Sequence, residues 1–296
     1  MTTPAPGASA VVAVDAWSPS PLQVERDRLR RRATLRSRLI AAVSTLAVGT
    51  LLVVAVTGSS GWPRVQAQFF DLATARDALP TVAHALLVNL EALLICGVLV
   101  PVFGMLIAIA RTTQSPVTLP LRILAAAYTD LFRGTPLILV LLVIGFGVPG
   151  LRLPYVPTDP LFLGVVALTL TYTSYVAEVF RAGIEAVHPS QRAAARSLGL
   201  SYTQTLRFVV LPQAVRKVVS PLLNDLVSLQ KDSGLISVIG AIDAVRQAQI
   251  LTANLGNFTP YLVAGGLFVV MTIPLTRLTD YLAARDSRRR LAGGAL

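Results

Sequence analysis

The residues able to do chemistry in this chain are few, and most stand where charge is expensive. Asp130, Arg133 and Thr135 interrupt one apolar run; Glu178 and Arg181 interrupt a second; Asp225, Ser228, Lys231 and Asp232 close a third. An ionised side chain at bilayer depth costs about 2.5–3.5 kcal/mol on insertion scales, so each set is expected to be paired, hydrated or in use. Charges of both signs with hydroxyls between them suit the holding of a small zwitterion. An arginine such as Arg133 can meet a carboxylate with two parallel hydrogen bonds, and an acid such as Glu178 can meet an ammonium. Other chemistries are poorly served. The single cysteine, Cys96, permits no internal disulfide. The two histidines, His84 and His188, stand far apart and form no zinc-type cluster with it. Neither lysine, Lys217 or Lys231, follows a glycine, so no phosphate-binding loop of the G-x-x-x-x-G-K type exists. No catalytic residue, metal or cofactor is expected, and any nucleotide would be bound by another chain.

The spacing of these residues calls for helices. Thr171, Tyr175, Glu178 and Arg181 or Ala182 recur at helical period, forming one polar stripe on an apolar helix. Asn224 or Asp225, Ser228, and Lys231 or Asp232 form a second stripe at the same spacing. The third set ends in Gly134-Thr135-Pro136, where proline disfavours helix in the residue before it. A break there frees backbone groups that only protein or water can satisfy. Local pairing of Glu178 with Arg181, and of Asp130 with Arg133, at i,i+3 is the plainer alternative. It leaves unexplained why three helices each carry a stripe, and one polar path between them accounts for that.

The whole chain supports this setting. Hydrophobic residues make up 54% and charged residues 14% of the 296, against about 25% charged in soluble domains. Charge-free runs at Leu39–Thr57 and Ala92–Ala110 each suffice for one crossing. Further crossings are expected at Tyr128–Gly147, Leu161 to about Ile184, about Leu206 to Gln230, and Leu255–Thr276, with a short helix over 232–254 in or near the membrane. The flanks at 25–38, 111–122, 181–217 and 277–290 hold most of the 26 basic residues, and six crossings place all four flanks on one side. Lys and Arg gather on the cytoplasmic side, so both termini are expected there. The net charge of +11 then reflects topology and anionic lipid headgroups, not nucleic acid.

One basic stretch, "QRAAARSLGLSYTQTLRFVVLP" (191–212), has the form of a device. Pro189 suits a first helical turn, the alanines favour helix, and Gly199 is placed to end it in a left-handed conformation. Ser201 and Gln204 fit a capping box that starts a second helix. An exposed short helix, a stiff corner and a membrane helix behind it could carry a push from a cytoplasmic partner into the bundle. An ordinary amphipathic surface helix is the alternative.

Here the sequence resembles the permease subunits of binding-protein-dependent ABC importers, polar amino acid branch. The family loop is Glu-Ala-Ala, three residues, Gly, nine residues, Ile-x-Leu-Pro. This chain has Ala193-Ala194-Ala195, Gly199, then Val209-x-Leu211-Pro212 at the same spacing. "LFRGTP", "YVAEVFRAGI", "LPQAVRK" and "LQKDSGLISVIG" are similar to the same branch. The family Glu falls on Ala193, so a carboxylate contact made there by relatives is missing here. The resemblance covers about residue 85 onward. It implies an all-α, polytopic helical bundle of about six transmembrane helices with the type I importer permease fold. It also implies a second permease chain, alike or different, two ABC ATPase subunits that receive the loop, and an extracytoplasmic solute-binding protein.

The resulting expectation is an importer permease, without enzymatic activity, in a bacterial cytoplasmic membrane. Residues 1–38 are expected to form a disordered basic tail, 39–84 an extra crossing and external loop, 85–283 the importer domain, and 284–296 a basic tail. The substrate path would use Arg133, Thr135, Glu178, Asp225, Ser228, Lys231 and Asp232. The ATPase would meet Ser190, Gln191, Arg192, Ala193, Ala194, Ala195, Arg196, Gly199, Leu211 and Pro212. A secondary carrier driven by an ion gradient could use the same acids but needs no docking helix, and a non-transporting scaffold needs no polar stripes.

Overall fold

The computed structural model describes residues 20–113 and 115–293, and all regular structure among them is helical. The described residues divide into two compact units, one up to Arg64 and one from Val65 onward. The first is dominated by α1 (Pro21–Thr57). Ser20 caps it, its side chain accepting from the Gln23 amide, and Pro21 occupies the first helical turn. The expectation of a disordered tail over 1–38 therefore divides. Residues 1–19 lie outside the described residues, and from Pro21 the cap and the Leu- and Arg-rich sequence carry helix into the crossing.

α2 (Trp62–Phe69) runs across the boundary between the units, and the second unit holds α3 (Leu72–Thr112), α4 (Leu119–Gly134), α5 (Leu137–Leu142), α6 (Val148–Gly150) and α7 (Pro160–Glu185). There follow α8 (Pro189–Ser197), α9 (Tyr202–Thr205), α10 (Leu211–Asp232), α11 (Ala244–Leu255) and α12 (Thr259–Gly293). Asp71 caps α3 through the Ala73 amide at 3.1 Å, so the expected external loop ends early and the expected boundary at 84 falls inside a helix. The tail expected from 284 is likewise the end of α12, which stays helical to Gly293. Among the described residues, four helices are long and apolar enough to cross a membrane, or six if each of two bent pairs is one span.

Both bends have local causes. At the first, Pro116–Gly134 and Leu137–Gly150 diverge by 105° at the Gly134-Thr135-Pro136 break the sequence leads one to expect. At the second, 50° separates Tyr202–Ile239 from Ala244–Leu255. Gly240, at φ 97, turns the chain there in a conformation that L side chains resist. Wide π-turns at Val143–Gly147 and Leu206–Val210 each precede a proline, Pro149 and Pro212, that has no N–H to offer the carbonyl four residues back.

α7 is the central element. It packs on α3, α4, α5 and α10, and its buried face includes Leu168, Tyr172, Val176, Phe180 and Ile184. Its neighbours come close because glycines face them. A Cβ at Gly104 would stand 2.6 Å from Val176, and one at Gly183 would stand 2.4 Å from Val218. A buried polar knot ties α3 to the α11 end. Asn89 donates to Asp243 Oδ2 at 2.8 Å and accepts from the Ala244 amide at 3.1 Å, while Asp243 caps α11. α4 and α10 thus each pack against α7, which brings their polar faces to it.

Candidate functional site

Three helices contribute to a polar seam whose centre is α7. Tyr172 and Tyr175 lie one turn apart, with ring centres separated by 6.2 Å. On one side the Arg133 guanidinium lies 5.9 Å from the Tyr175 ring centre, a cation–π contact from the last turn of α4. On the other side the Tyr172 hydroxyl donates to Asp232 Oδ2 at 2.7 Å, at the end of α10. The chain Arg133–Tyr175–Tyr172–Asp232 thus joins all three stripes. Two turns earlier on α10, Asp225 is half-buried, and its Oδ2 is buried without a hydrogen-bond partner. The Thr171 hydroxyl is likewise buried and unpartnered. Such atoms cost free energy until a donor or acceptor reaches them.

The remaining expected path residues behave differently. The Thr135 hydroxyl donates to the Leu131 carbonyl at 2.8 Å, so it serves the broken end of α4. Ser228 and Lys231 are exposed. Arg133 is exposed and makes no ion pair among the described residues, so the alternative of an Asp130–Arg133 pair is not realised.

Glu178 stands in a second, closed cluster. Its carboxylate takes Arg111 of α3 at 2.8 Å and Arg181 of α7 through two nitrogens, one of them Nε at 3.0 Å. Arg181 also pairs with Glu185. Two acids and two bases therefore bind the last turn of α3 to the last turns of α7, and every charge has a partner. The local Glu178–Arg181 pair was legible at i,i+3. Arg111 was read only as a flanking base, because no spacing rule reaches across 67 residues. Tyr172 was missed because it lies one position off the stripe through Thr171 and Tyr175.

The stretch from Pro189 folds as its caps dictate. His188 Nδ1 accepts the Ser190 amide at 3.2 Å, and Pro189 opens α8. At the other end the Gly199 amide donates to Arg196 and the Leu200 amide to Ala195, with Gly199 at φ 80. This is the paired closure of a Schellman motif. Ser201 and Gln204 cap one another reciprocally to start α9. Ser190, Gln191, Ala193, Ala194 and Arg196 are exposed, while Ala195 is buried toward the bundle. Leu211 packs on the core, and Pro212 opens α10. The corner is anchored at three points. Arg192 donates to the Ile184 carbonyl at 2.6 Å, the Tyr202 hydroxyl donates to the Thr112 carbonyl at 3.3 Å, and Lys217 reaches the Ala186 carbonyl. Among the described residues no group of His, Cys, Asp and Glu could hold a metal ion.

Comparison with known proteins places these features in company. The family model for the binding-protein-dependent transport system inner membrane component matches residues 102–288. The probable glutamine ABC transporter permease GlnM of Bacillus subtilis is 37% identical over 187 residues, spanning 62% of this chain and 83% of its own length. The arginine transport system permease ArtQ of the same organism is 31% identical over 207 residues, spanning 70% and 92%. A solved amino acid ABC transporter with histidines is similar at a TM-score of 0.65 and 31% identity, covering 73% of this chain and 98% of that one. The inward-facing MetNI methionine transporter shares the fold at 0.57 and 20% identity, covering 68% and 94%.

Proposed function

This chain belongs to the binding-protein-dependent transport system inner membrane components, and from that premise we propose that it is the permease subunit of an ATP-driven importer that carries an amino acid into the cell. Relatives named for glutamine and arginine transport support the substrate class. The observation that carries the coupling is the α8 corner: a nine-residue helix with exposed small residues, rigidly closed at Gly199 and anchored to the ends of α3 and α7. Two ATPase subunits receive this helix, one on each of two permease chains, and their closure moves α8 and the helix ends tied to it. Both termini and α8 face the cytoplasm, because the basic flanks alternate with the crossings. A binding protein delivers the amino acid from the other side. An ion-gradient carrier would have no use for such a corner.

Within the bundle, Arg133 receives the substrate carboxylate and Asp225 its ammonium, with Tyr172, Tyr175 and Asp232 lining the route between. Arg133 has no ion-pair partner among the described residues, and Asp225 has an unpartnered buried oxygen. Both therefore keep hydrogen-bonding capacity that a ligand could use. Glu178, already met by two guanidiniums, acts as a clamp between α3 and α7. The chain performs no covalent chemistry of its own.

The test is ATP-dependent uptake of radiolabelled amino acid by vesicles holding the complex, with co-purification of the ATPase. Gly199→Val forces a β-branched residue into a left-handed conformation at a cost of about 1–2 kcal/mol. It is expected to leave the crossings inserted while lowering ATPase retention or uptake. Variant complexes that assemble and transport like wild type would contradict the coupling role.

A further inference from the structure

On the bundle side of α8 lies a cavity of about 390 Å³. Arg192 and Arg196 reach it from the same face of α8, four residues apart; Thr205 lines it from α9, and Ile184, Leu206 and Val210 supply apolar surface. No carboxylate is among the residues that line it. Arg192 is held in place by its Nη2 bond to the Ile184 carbonyl, and a guanidinium has five N–H donors, so most of its fork remains to be used. Arg196 makes no ion pair among the described residues. Thr205 is only 5% exposed, and its Oγ1 is buried with no partner.

Two positive forks and an unspent hydroxyl donor beside apolar surface specify a ligand. It needs several acceptor oxygens and negative charge, which a phosphate group supplies, and an apolar portion to lie against Ile184, Leu206 and Val210. We propose that this cavity is a phosphate-binding site, filled by the headgroup of an anionic phospholipid, which braces α8 against the ends of α3 and α7. The lipid source rests on the reading of 188–212 as the cytoplasmic coupling segment; the phosphate chemistry does not. Free phosphate offers the same oxygens without the apolar portion.

The purified complex of permease and ATPase in detergent is titrated with dioctanoyl phosphatidylglycerol, with dioctanoylglycerol, which lacks the phosphate, and with inorganic phosphate, and binding is read by native mass spectrometry. Saturable binding of phosphatidylglycerol but not dioctanoylglycerol is expected. Arg196→Gln and Thr205→Val should each weaken it about tenfold, the scale of one hydrogen bond to a charged group. Thr205→Ser, which keeps the hydroxyl, should restore binding, and Arg277→Gln on α12 should change nothing. Binding of inorganic phosphate with displacement of the lipid supports the site and assigns it to the free anion. Equal binding of dioctanoylglycerol, or affinities unchanged in both cavity variants, would overturn the proposal. So would variants that lose the ATPase while phosphate affinity stays the same, which would assign the arginines to a protein contact. Because binding and not uptake is read, a negative result here leaves the importer reading standing.

Discussion

Two carboxylates on neighbouring helices, Glu178 and Asp225, differ in one respect on which their proposed roles rest. Glu178 is saturated: Arg111 and Arg181 together occupy both of its oxygens. Asp225 is not: one oxygen is buried with no partner. A saturated charge network holds helices in register, and opening it costs more than a passing solute returns. An unsaturated carboxylate beside a polar seam gains by meeting an ammonium. Sequence alone made Glu178 the better candidate, because it stands mid-stripe on an apolar helix. The geometry leaves unspent hydrogen-bonding capacity on Asp225 and none on Glu178, which is why Asp225 is the one proposed.

That contrast can be broken by substitution. The largest effect is expected for Glu178→Gln, which leaves two guanidiniums facing an amide. Their side chains are only 17% and 28% exposed, so a loss of about 2 kcal/mol is expected, below that of a fully buried pair. It should read as a lower melting temperature and yield of the complex, with uptake per assembled complex retained. Asp225→Asn comes next. It keeps the shape, removes the charge, and should lower uptake per assembled complex about tenfold, the scale of one charge-assisted contact, without lowering yield. Tyr172→Phe removes the donor to Asp232, worth about 1 kcal/mol, and a several-fold drop in uptake is expected from vesicle measurements. Ser228→Ala, at an exposed position, should stay within about 0.5 kcal/mol of wild type by thermal melting and transport normally.

What the sequence made legible was local. Pro189, Gly199, Ser201 and Gln204 act through caps two to six residues long, and the corner they specify is the corner found. The break at Gly134–Pro136 is of the same kind. That α4, α7 and α10 would meet was legible from their stripes, but not which residues would touch. Arg111 meets Glu178, and Asn89 meets Asp243, only through the packing of α3 on other helices. The start of α3 was misjudged because hydropathy marks where a helix is apolar. Asp71 begins it twenty-one residues before the charge-free run at Ala92.

The central claim is that the seam handles substrate while the Glu178 cluster holds the helices. The direct measurement is the initial rate of ATP-driven amino acid uptake, divided by the amount of assembled complex, for wild type, Asp225→Asn and Glu178→Gln in the same vesicles. The account predicts a rate per complex that falls about tenfold in Asp225→Asn and is retained in Glu178→Gln, whose loss appears only in the amount assembled. A wild-type rate per complex in Asp225→Asn together with a collapsed rate in Glu178→Gln would contradict it, returning the substrate to Glu178 and leaving Asp225 as a structural residue of α10.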